Sequence, residues 1–145
     1  MSSLPSERAA VVATVDPIDG NNTTIKTDAV DLSKFREAMF VLLTGVMASS
    51  STIAAIKLQE SATTTDGDFS DISGKTIADR DNDDDAQQFV INIKSDELTS
   101  GKRYVRMVAT CSAHSILVAM IGLGLVPRFA PGSDDDLSSV IAITA

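Results

Sequence analysis

The sequence predicts an all-β fold, either an antiparallel β-sandwich or a jelly-roll-like arrangement. Eight or nine short segments are rich in apolar or β-branched residues, and turn-forming residues separate them at frequent intervals. There is no internal repeat, and a chain of 145 residues is most simply one domain. We expect a flexible N-terminal arm over residues 1–8, a sandwich over residues 9–131 and a C-terminal tail over residues 132–145.

The central feature is a predicted hairpin. Residues 53–61 alternate between apolar and polar side chains, as a half-buried strand requires. Asp66 and Gly67 supply a turn, because glycine adopts a positive φ at little cost, and residues 69–74 return along the first strand. Residues 89–93 repeat the alternation, and we expect them to join this hairpin as a third strand.

Two short strands are predicted before the hairpin. Residues 9–15 are apolar and β-branched, and we expect their strand to end at Asp16 and Pro17 because proline cannot donate to a ladder. Residues 23–27 form a second short β-branched segment. A connection over residues 28–34 follows it.

The segment over residues 35–47 has two interpretations. A helix near residues 33–45 is one of them, because apolar residues recur there at helical spacing. The residues at that spacing are Leu32, Phe35, Met39, Leu42 and Val46. We favour a strand over residues 38–44, because the neighbouring segments in sequence are all β and a lone helix would interrupt them.

Three further strands are predicted in the second half of the chain. Residues 103–110 alternate clearly, whereas residues 115–121 have no polar face. Two glycines loosen the latter strand before the proline-rich residues 127–131 end it. The tail contains a candidate terminal strand over residues 139–144.

Two of these strands are more apolar than an antiparallel sandwich needs. Such a sheet usually leaves one face to water, yet residues 38–43 and 116–121 offer water almost no polar side chain. We therefore expect the outer face of their sheet to be covered. A loop or terminal arm of the same chain is one candidate cover, and a partner subunit is the other.

The charge of the chain argues against several classes of partner. Twelve basic and twenty acidic residues give a net charge of −8, which would be repelled by nucleic acid and by an anionic membrane. The longest apolar run, residues 116–126, is about half of what a bilayer crossing needs. The polar residues 1–8 do not resemble a secretory signal, and we expect use without secretion.

The residues that carry chemistry in other proteins are sparse here. Cys111 is the single cysteine and cannot form an internal disulfide, and its parity in the strand indicates a buried thiol. His114 is the single histidine, and a strand would place it on the opposite face from Cys111. We expect His114 in a turn or on the surface, no zinc site, no cofactor and no enzymatic activity.

The acidic run over residues 79–85 resembles the start of an EF-hand loop. Asp79, Asp81 and Asp83 occupy positions 1, 3 and 5, but Asp84 replaces the glycine at position 6 and Val90 replaces the glutamate at position 12. A solvated loop is the favoured interpretation. Loose calcium binding is the alternative.

Five motifs occur in order along the chain: AIKLQES (55–61), DGDFSDISG (66–74), FVINI (89–93), KRYVR (102–106) and PRFAP (127–131). Their order resembles the small structural proteins of tailed bacteriophages, which include head decoration or cement proteins. The resemblance covers roughly residues 36–131 and does not extend into the tail.

This resemblance implies a virion protein, made in the host cytoplasm, that sits on the capsid exterior. Its implied partners are the major capsid protein and further copies of itself, as a homodimer or homotrimer. Bridging of neighbouring capsomers would stabilise the shell by binding. The alternatives are a head-completion or minor tail protein, and, from another class, a carbohydrate-binding β-sandwich.

The expected contact residues lie near the two ends of the chain. Residues 140–143 have the composition to add a strand to the sheet edge of a neighbour. Phe129, between two prolines, is predicted either to fill a pocket on a partner or to act as an intramolecular lid. The full set of predicted contacts is Leu4, Pro127, Phe129, Pro131, Val140, Ile141 and Ile143.

Overall fold

The alternation of apolar and polar residues produces two antiparallel sheets packed face to face. The computed structural model describes residues 3–144, apart from the side chain of Asp84. The predicted β-sandwich is confirmed. The strands are β1 Ala9–Asp19, β2 Thr24–Lys26, β3 Val30–Asp31, β4 Phe35–Met47, β5 Thr52–Ser61, β6 Ser70–Ile77, β7 Arg80–Asp81, β8 Gln88–Lys94, β9 Tyr104–Cys111 and β10 Ile116–Pro127.

The two sheets have different strand orders. The first sheet has the order β1-β10-β4-β8, and the second has the order β2-β9-β5-β6, with β3 beside β9 and β7 beside β5. The inner faces of the two sheets form one hydrophobic core, in which Phe40 and Leu42 of the first sheet and Ile56, Leu58 and Met107 of the second are fully buried.

The strand interpretation of residues 35–47 is confirmed, and a helix near residues 33–45 is wrong. This segment is β4, which is hydrogen-bonded to β10 on one side and to β8 on the other. Hydrogen bonding to two neighbouring strands stabilises the extended form of this segment more than its weak helical spacing favours a helix, because tertiary packing overrides local propensity. The α-helix among the described residues is instead α1, Pro5–Arg8, which packs against the 3-10 turn Gly132–Asp135. Part of the expected arm is therefore helical and in contact with the domain.

β1 does not end at Pro17, as predicted, but continues to Asp19. It is an edge strand, and its register shifts between Val15 and Ile18, so Pro17 sits in an irregular step where no ladder hydrogen bond is required.

The third strand of the predicted hairpin was assigned to the wrong sheet. β5 and β6 do pair, but β8 pairs with β4 in the first sheet. The two edges of β5 are already taken by β6 and β9. β6 meets β8 without a ladder, and the contact there is a hydrogen bond from Lys75 Nζ to the carbonyl oxygen of Asn92, at 2.9 Å.

The predicted terminal strand over residues 139–144 does not form. The hydrogen bonds between the tail and β1 converge on one residue of the strand: Leu137 N donates to Val11 O at 2.8 Å, and Val11 N donates to Asp136 Oδ1 at 2.6 Å. Further along the edge, Thr14 N donates to the Asp28 carboxylate at 3.1 Å. The carboxylates of Asp136 and Asp28 thus accept hydrogen bonds from N–H groups on this edge of β1, and Pro17 has no N–H. Few backbone groups of β1 are left to form a ladder with the tail.

The glycines of β10 permit close packing rather than the predicted loosening of the strand. A Cβ at Gly124 would lie 2.7 Å from the ring of Phe35, and one at Gly122 would lie 2.9 Å from Phe40 Cε1. The aromatic rings therefore occupy the space that side chains on β10 would fill.

We predict that Gly124→Ala destabilises the protein by about 1–3 kcal/mol, the usual cost of overpacking a dense core. The matched control is Gly67→Ala, because a Cβ at Gly67 meets nothing within 4 Å. Urea denaturation followed by circular dichroism measures both variants. Equal midpoints for the two variants would contradict the close packing described for Gly124.

Candidate interaction surfaces

The outer face of the second sheet is polar and internally paired. The Arg106 side chain is only 8% exposed, and its guanidinium donates to Gln59 Oε1 through Nε (3.0 Å) and Nη2 (2.8 Å) and to the Asp66 carboxylate. It also stacks 4.0 Å from the centroid of the Phe69 ring. Arg106 thereby holds the turn Asp66–Asp68 against the sheet.

Two lysines extend this paired surface. Lys26 forms an ion pair with Asp66 at 2.8 Å, and Lys57 forms one with Asp71 at 2.7 Å. The hydrogen bonds from Lys26 and Arg106 lower the pKa of Asp66, and those from Lys57 and Gln59 lower the pKa of Asp71. Such a face is suited to contact with water.

These shifts predict that stability falls in acid. A carboxylate whose pKa is lower in the folded state than in the unfolded state stabilises the fold at pH values above its ordinary pKa, which is 3.8 for aspartate. This contribution to the free energy of unfolding is lost as the pH falls through the lowered pKa. We therefore expect a flat urea midpoint from neutral pH down to about pH 5 and a steep fall below about pH 4.

Asp66→Asn should lower the midpoint at neutral pH and make the fall in acid shallower. Asp134→Asn, on an exposed carboxylate outside this network, is the control and should leave both unchanged. An acid profile of Asp66→Asn that coincides with that of the wild type would count against the network.

The outer face of the first sheet is apolar. Cross-strand partners point to the same side of a sheet, so the register defines which residues share this face. The row through its middle consists of Thr14, Ile121, Val41 and Val90. We use the name outer apolar face for Val11, Met39, Val41, Leu43, Val90, Leu117, Ala119, Ile121, Leu123 and Leu125.

This face remains in contact with solvent in the single chain. Leu43 is 40% exposed, Val90 47% and Leu117 45%. The helical turns that pack on the first sheet contact its edge strand β1 and the ends of β4 and β10. The described part of the chain therefore does not supply the expected cover.

The outer apolar face carries almost no charge. Glu37 and Lys94 are direct cross-strand partners in the row at one end of it, where their charges cancel. Three of its other polar positions, Thr14, Asn92 and Gln88, are neutral, and one carboxylate, Asp19, is the cross-strand partner of Leu117 at the end away from Glu37. An apolar face with so little charge is typical of a surface that packs against protein.

A groove of about 840 Å³ lies at the same end of the first sheet. It runs between α1 and the end of β10, and Leu125 belongs both to the groove and to the outer apolar face. We call it the end groove. Its lining is mainly apolar and includes Pro5, Ala9, Leu125, Val126, Pro127, Ala130 and Pro131.

The predicted contact residues fall into two groups. Pro127 and Pro131 line the end groove, and Leu4, 40% exposed, lies between the groove residues Ser3 and Pro5. Phe129 follows β10 and is 79% exposed, so the intramolecular lid predicted as its alternative role is wrong.

The tail residues form the second group and do not line the groove. Ile141 is 93% exposed and Ile143 52% exposed, whereas Val140 is half-buried and donates from its backbone N to Leu137 O at 2.9 Å. Sequence reasoning missed the wall formed by α1, because a helix of four residues leaves no periodic pattern to detect.

Val126 has an unusual backbone at the edge of the end groove. Its φ of +51° lies in the left-handed region, which a β-branched residue rarely adopts. The neighbouring strand pairing of Pro127 with Phe35 holds it in place. Strain of this kind is concentrated at binding sites more often than elsewhere.

Cys111 is buried, as predicted. Burial, and to a lesser degree the charge of Asp19, raises the pKa of its thiol to about 11. A Cβ at Gly20 would lie 2.8 Å from its Sγ, so the thiol fills a tight space. His114 is exposed in the turn between β9 and β10, with a φ of +81°, as the turn prediction requires.

We predict that Cys111 reacts slowly with a disulfide reagent at pH 8 and rapidly in urea, because the reactive thiolate is both scarce and enclosed. Ala113→Cys, which adds a thiol at an exposed position in the same turn, should give one fast and one slow reaction. Rapid labelling of native wild-type protein would show that Cys111 is accessible.

In the acidic run over residues 79–85, carboxylates accept hydrogen bonds from backbone N–H groups. Asp81 Oδ1 accepts a hydrogen bond from Asp83 N at 3.0 Å, and Asp85 Oδ1 accepts one from Met47 N at 2.6 Å. Across residues 3–144, with the Asp84 side chain left aside, no three histidine, cysteine or acidic side chains are grouped so that they could hold a metal ion.

The fold and its surfaces define an antiparallel β-sandwich with one polar and one apolar outer face. No protein-family model matches the chain, and the search of curated proteins returned no match. None of the helices described in residues 3–144 is long and apolar enough to cross a membrane.

Proposed function

We propose that this protein is a structural component of a tailed-phage virion, which binds the outer surface of the capsid and stabilises the shell by bridging capsomers. The observation that carries the proposal is the apolar end of the sandwich, where the end groove and Phe129 present binding surface without an internal partner. The resemblance of residues 36–131 to phage structural proteins supports it. The major capsid protein is the proposed partner.

Phe129 is the proposed anchor. Its exposed ring is the type of side chain that contributes most at protein interfaces, about 1.5–3 kcal/mol on full burial. The prolines on either side restrict the backbone, so little conformational entropy is lost when the ring is buried. The adjacent end groove can accept an apolar side chain from the capsid at the same contact.

The tail gives a second point of attachment. Residues 138–144 are uncharged, include exposed isoleucines, and extend from the anchor of Leu137 on β1. Fully extended, seven residues reach roughly 23 Å. A β-branched segment of this length can add a strand to the sheet edge of a neighbouring subunit, and two separated contacts are what bridging requires.

Binding to one state of the shell is sufficient for stabilisation. A subunit that binds the expanded lattice and not its precursor stabilises the expanded form by mass action. No reactive group on the subunit is needed for this effect.

The carbohydrate-binding alternative is weakened by the surroundings of the single tyrosine. Arg103 lies 4.9 Å from the centroid of the Tyr104 ring and also pairs with Asp31, so one of the two ring faces available for stacking on a sugar is already occupied.

We predict that the purified protein cosediments with expanded heads assembled from the cognate major capsid protein. Phe129→Ser should weaken binding roughly 10- to 100-fold, the loss expected when burial of one aromatic ring is removed. Val46→Ser removes a comparably exposed side chain from the opposite end of β4 and should bind normally.

Copy number separates decoration from a neck or tail position. Gel densitometry of purified particles should give a number comparable to that of the capsid subunits, whereas a dozen copies or fewer would favour a head-completion or minor tail protein. Absence of binding to expanded heads, or equal binding by both serine variants, would reject the proposed contact.

A further inference from the structure

The outer apolar face has the composition of a sandwich interior. In β4, the outer residues Val41 and Leu43 alternate with core residues of the same strand, and Val90 of β8 is the cross-strand partner of Val41. The central strands β4 and β10 therefore carry aliphatic side chains on both faces. The core side is covered by the second sheet at a spacing of about 10 Å, as sheets pack in general. The outer side presents the same kind of aliphatic surface, and no described part of the chain covers it.

The charge distribution favours a second copy of this chain as the cover. Each copy carries a net charge of −8, yet the charged residues of this face are only the neutralising neighbours Glu37 and Lys94 at one end and Asp19 on the edge strand at the other. Two copies that meet through it bring no like charges together at the centre of contact. A strongly basic partner would find a single unpaired carboxylate at the edge of this face and none at its centre.

The extent of the face suits a whole sheet as its occupant. Four strands at a spacing of about 4.8 Å and a length of about 27 Å give roughly 500 Å² in projection, before the relief of the side chains is added. A stable interface takes about 800 Å² from each partner. A peptide strand would cover only a fraction of this face, whereas a second sheet of equal width and twist covers all of it.

We propose that two copies of this chain pack outer apolar face against outer apolar face, forming a two-fold symmetric dimer with a four-layered β-structure. The proposal goes beyond capsid binding and does not depend on it. Such a dimer carries two end grooves and two Phe129 anchors, so that it presents two identical binding ends.

Sedimentation velocity of the isolated chain tests the dimer over about 1–100 µM, because interfaces of standard size have affinities from picomolar to micromolar. The wild type should sediment at twice the chain mass of 15.2 kDa. The double variant Leu43→Lys and Val90→Lys should dissociate at least about 100-fold more readily, because the ammonium groups would be buried without partners. Leu43 lies toward the end of the face away from the groove, and Val90 lies in its middle row, so neither residue lines the groove.

The control is Ile141→Lys, which places one lysine on a more exposed isoleucine outside the face and should remain dimeric. Circular dichroism and the slow labelling of Cys111 check that each variant is folded. The dimer should also persist in high salt, because salt screens the repulsion between the acidic copies and leaves apolar burial intact.

Several outcomes would overturn the proposal. A wild type that is monomeric across the concentration range assigns the face to another partner, and loss of head binding in the Leu43→Lys and Val90→Lys variant would then identify the capsid as that partner. A dimer that survives in this variant but dissociates in Ile141→Lys is held by the tail. A trimer excludes the two-fold arrangement. None of these results depends on whether Phe129 binds heads.

Discussion

The first sheet is constrained by aliphatic side chains on both of its faces. An antiparallel sheet in a sandwich needs one covered face, and the second sheet supplies that cover on the core side. β4 and β10 lie at the centre of the first sheet and have no alternation that would give water a polar side. The outer apolar face therefore leaves apolar surface in water in the single chain, and burial of this surface is the driving force on which the proposed dimer relies.

The second sheet, by contrast, has an outer face of polar side chains that is suited to contact with water. Its outer side chains form ion pairs and hydrogen bonds with one another, and Arg106 draws the 66–68 turn onto the sheet through Asp66. The stems of Lys26 and Lys57 lie on either side of the buried Val108, to which both are cross-strand partners. The two outer faces therefore differ in chemistry: that of the second sheet is polar and paired, and that of the first sheet is apolar and has no described cover.

Much of the fold was predictable because alternation reports which face a residue occupies. Phe89, Ile91 and Ile93 were correctly placed on one apolar face of β8. Alternation does not report which strand lies alongside, and β8 was therefore assigned to the wrong sheet. The extension of β1 through Pro17 depends on edge position, which only the strand order reveals.

The surfaces were predictable to a similar degree. The lack of a polar face in β4 and β10 indicated a face that needs a cover, without distinguishing a cover within the chain from a partner, and the prolines at 127 and 131 indicated the end of a strand. The spread of the apolar face onto Val11 and Val90 depends on register, and the α1 wall of the groove depends on a contact between distant parts of the chain. Neither has a local pattern in the sequence.

The sheet edges determine what kind of association the apolar face can support. Asp136 and Asp28 accept hydrogen bonds from outward N–H groups of β1, and Pro17 has no N–H to offer. On the opposite edge, Lys75 Nζ donates a hydrogen bond to the carbonyl oxygen of Asn92 on β8. These features resist the addition of strands side by side, which would produce open fibres. The proposed dimer instead forms perpendicular to the sheet, where each face would meet a single partner and the contact would close on itself.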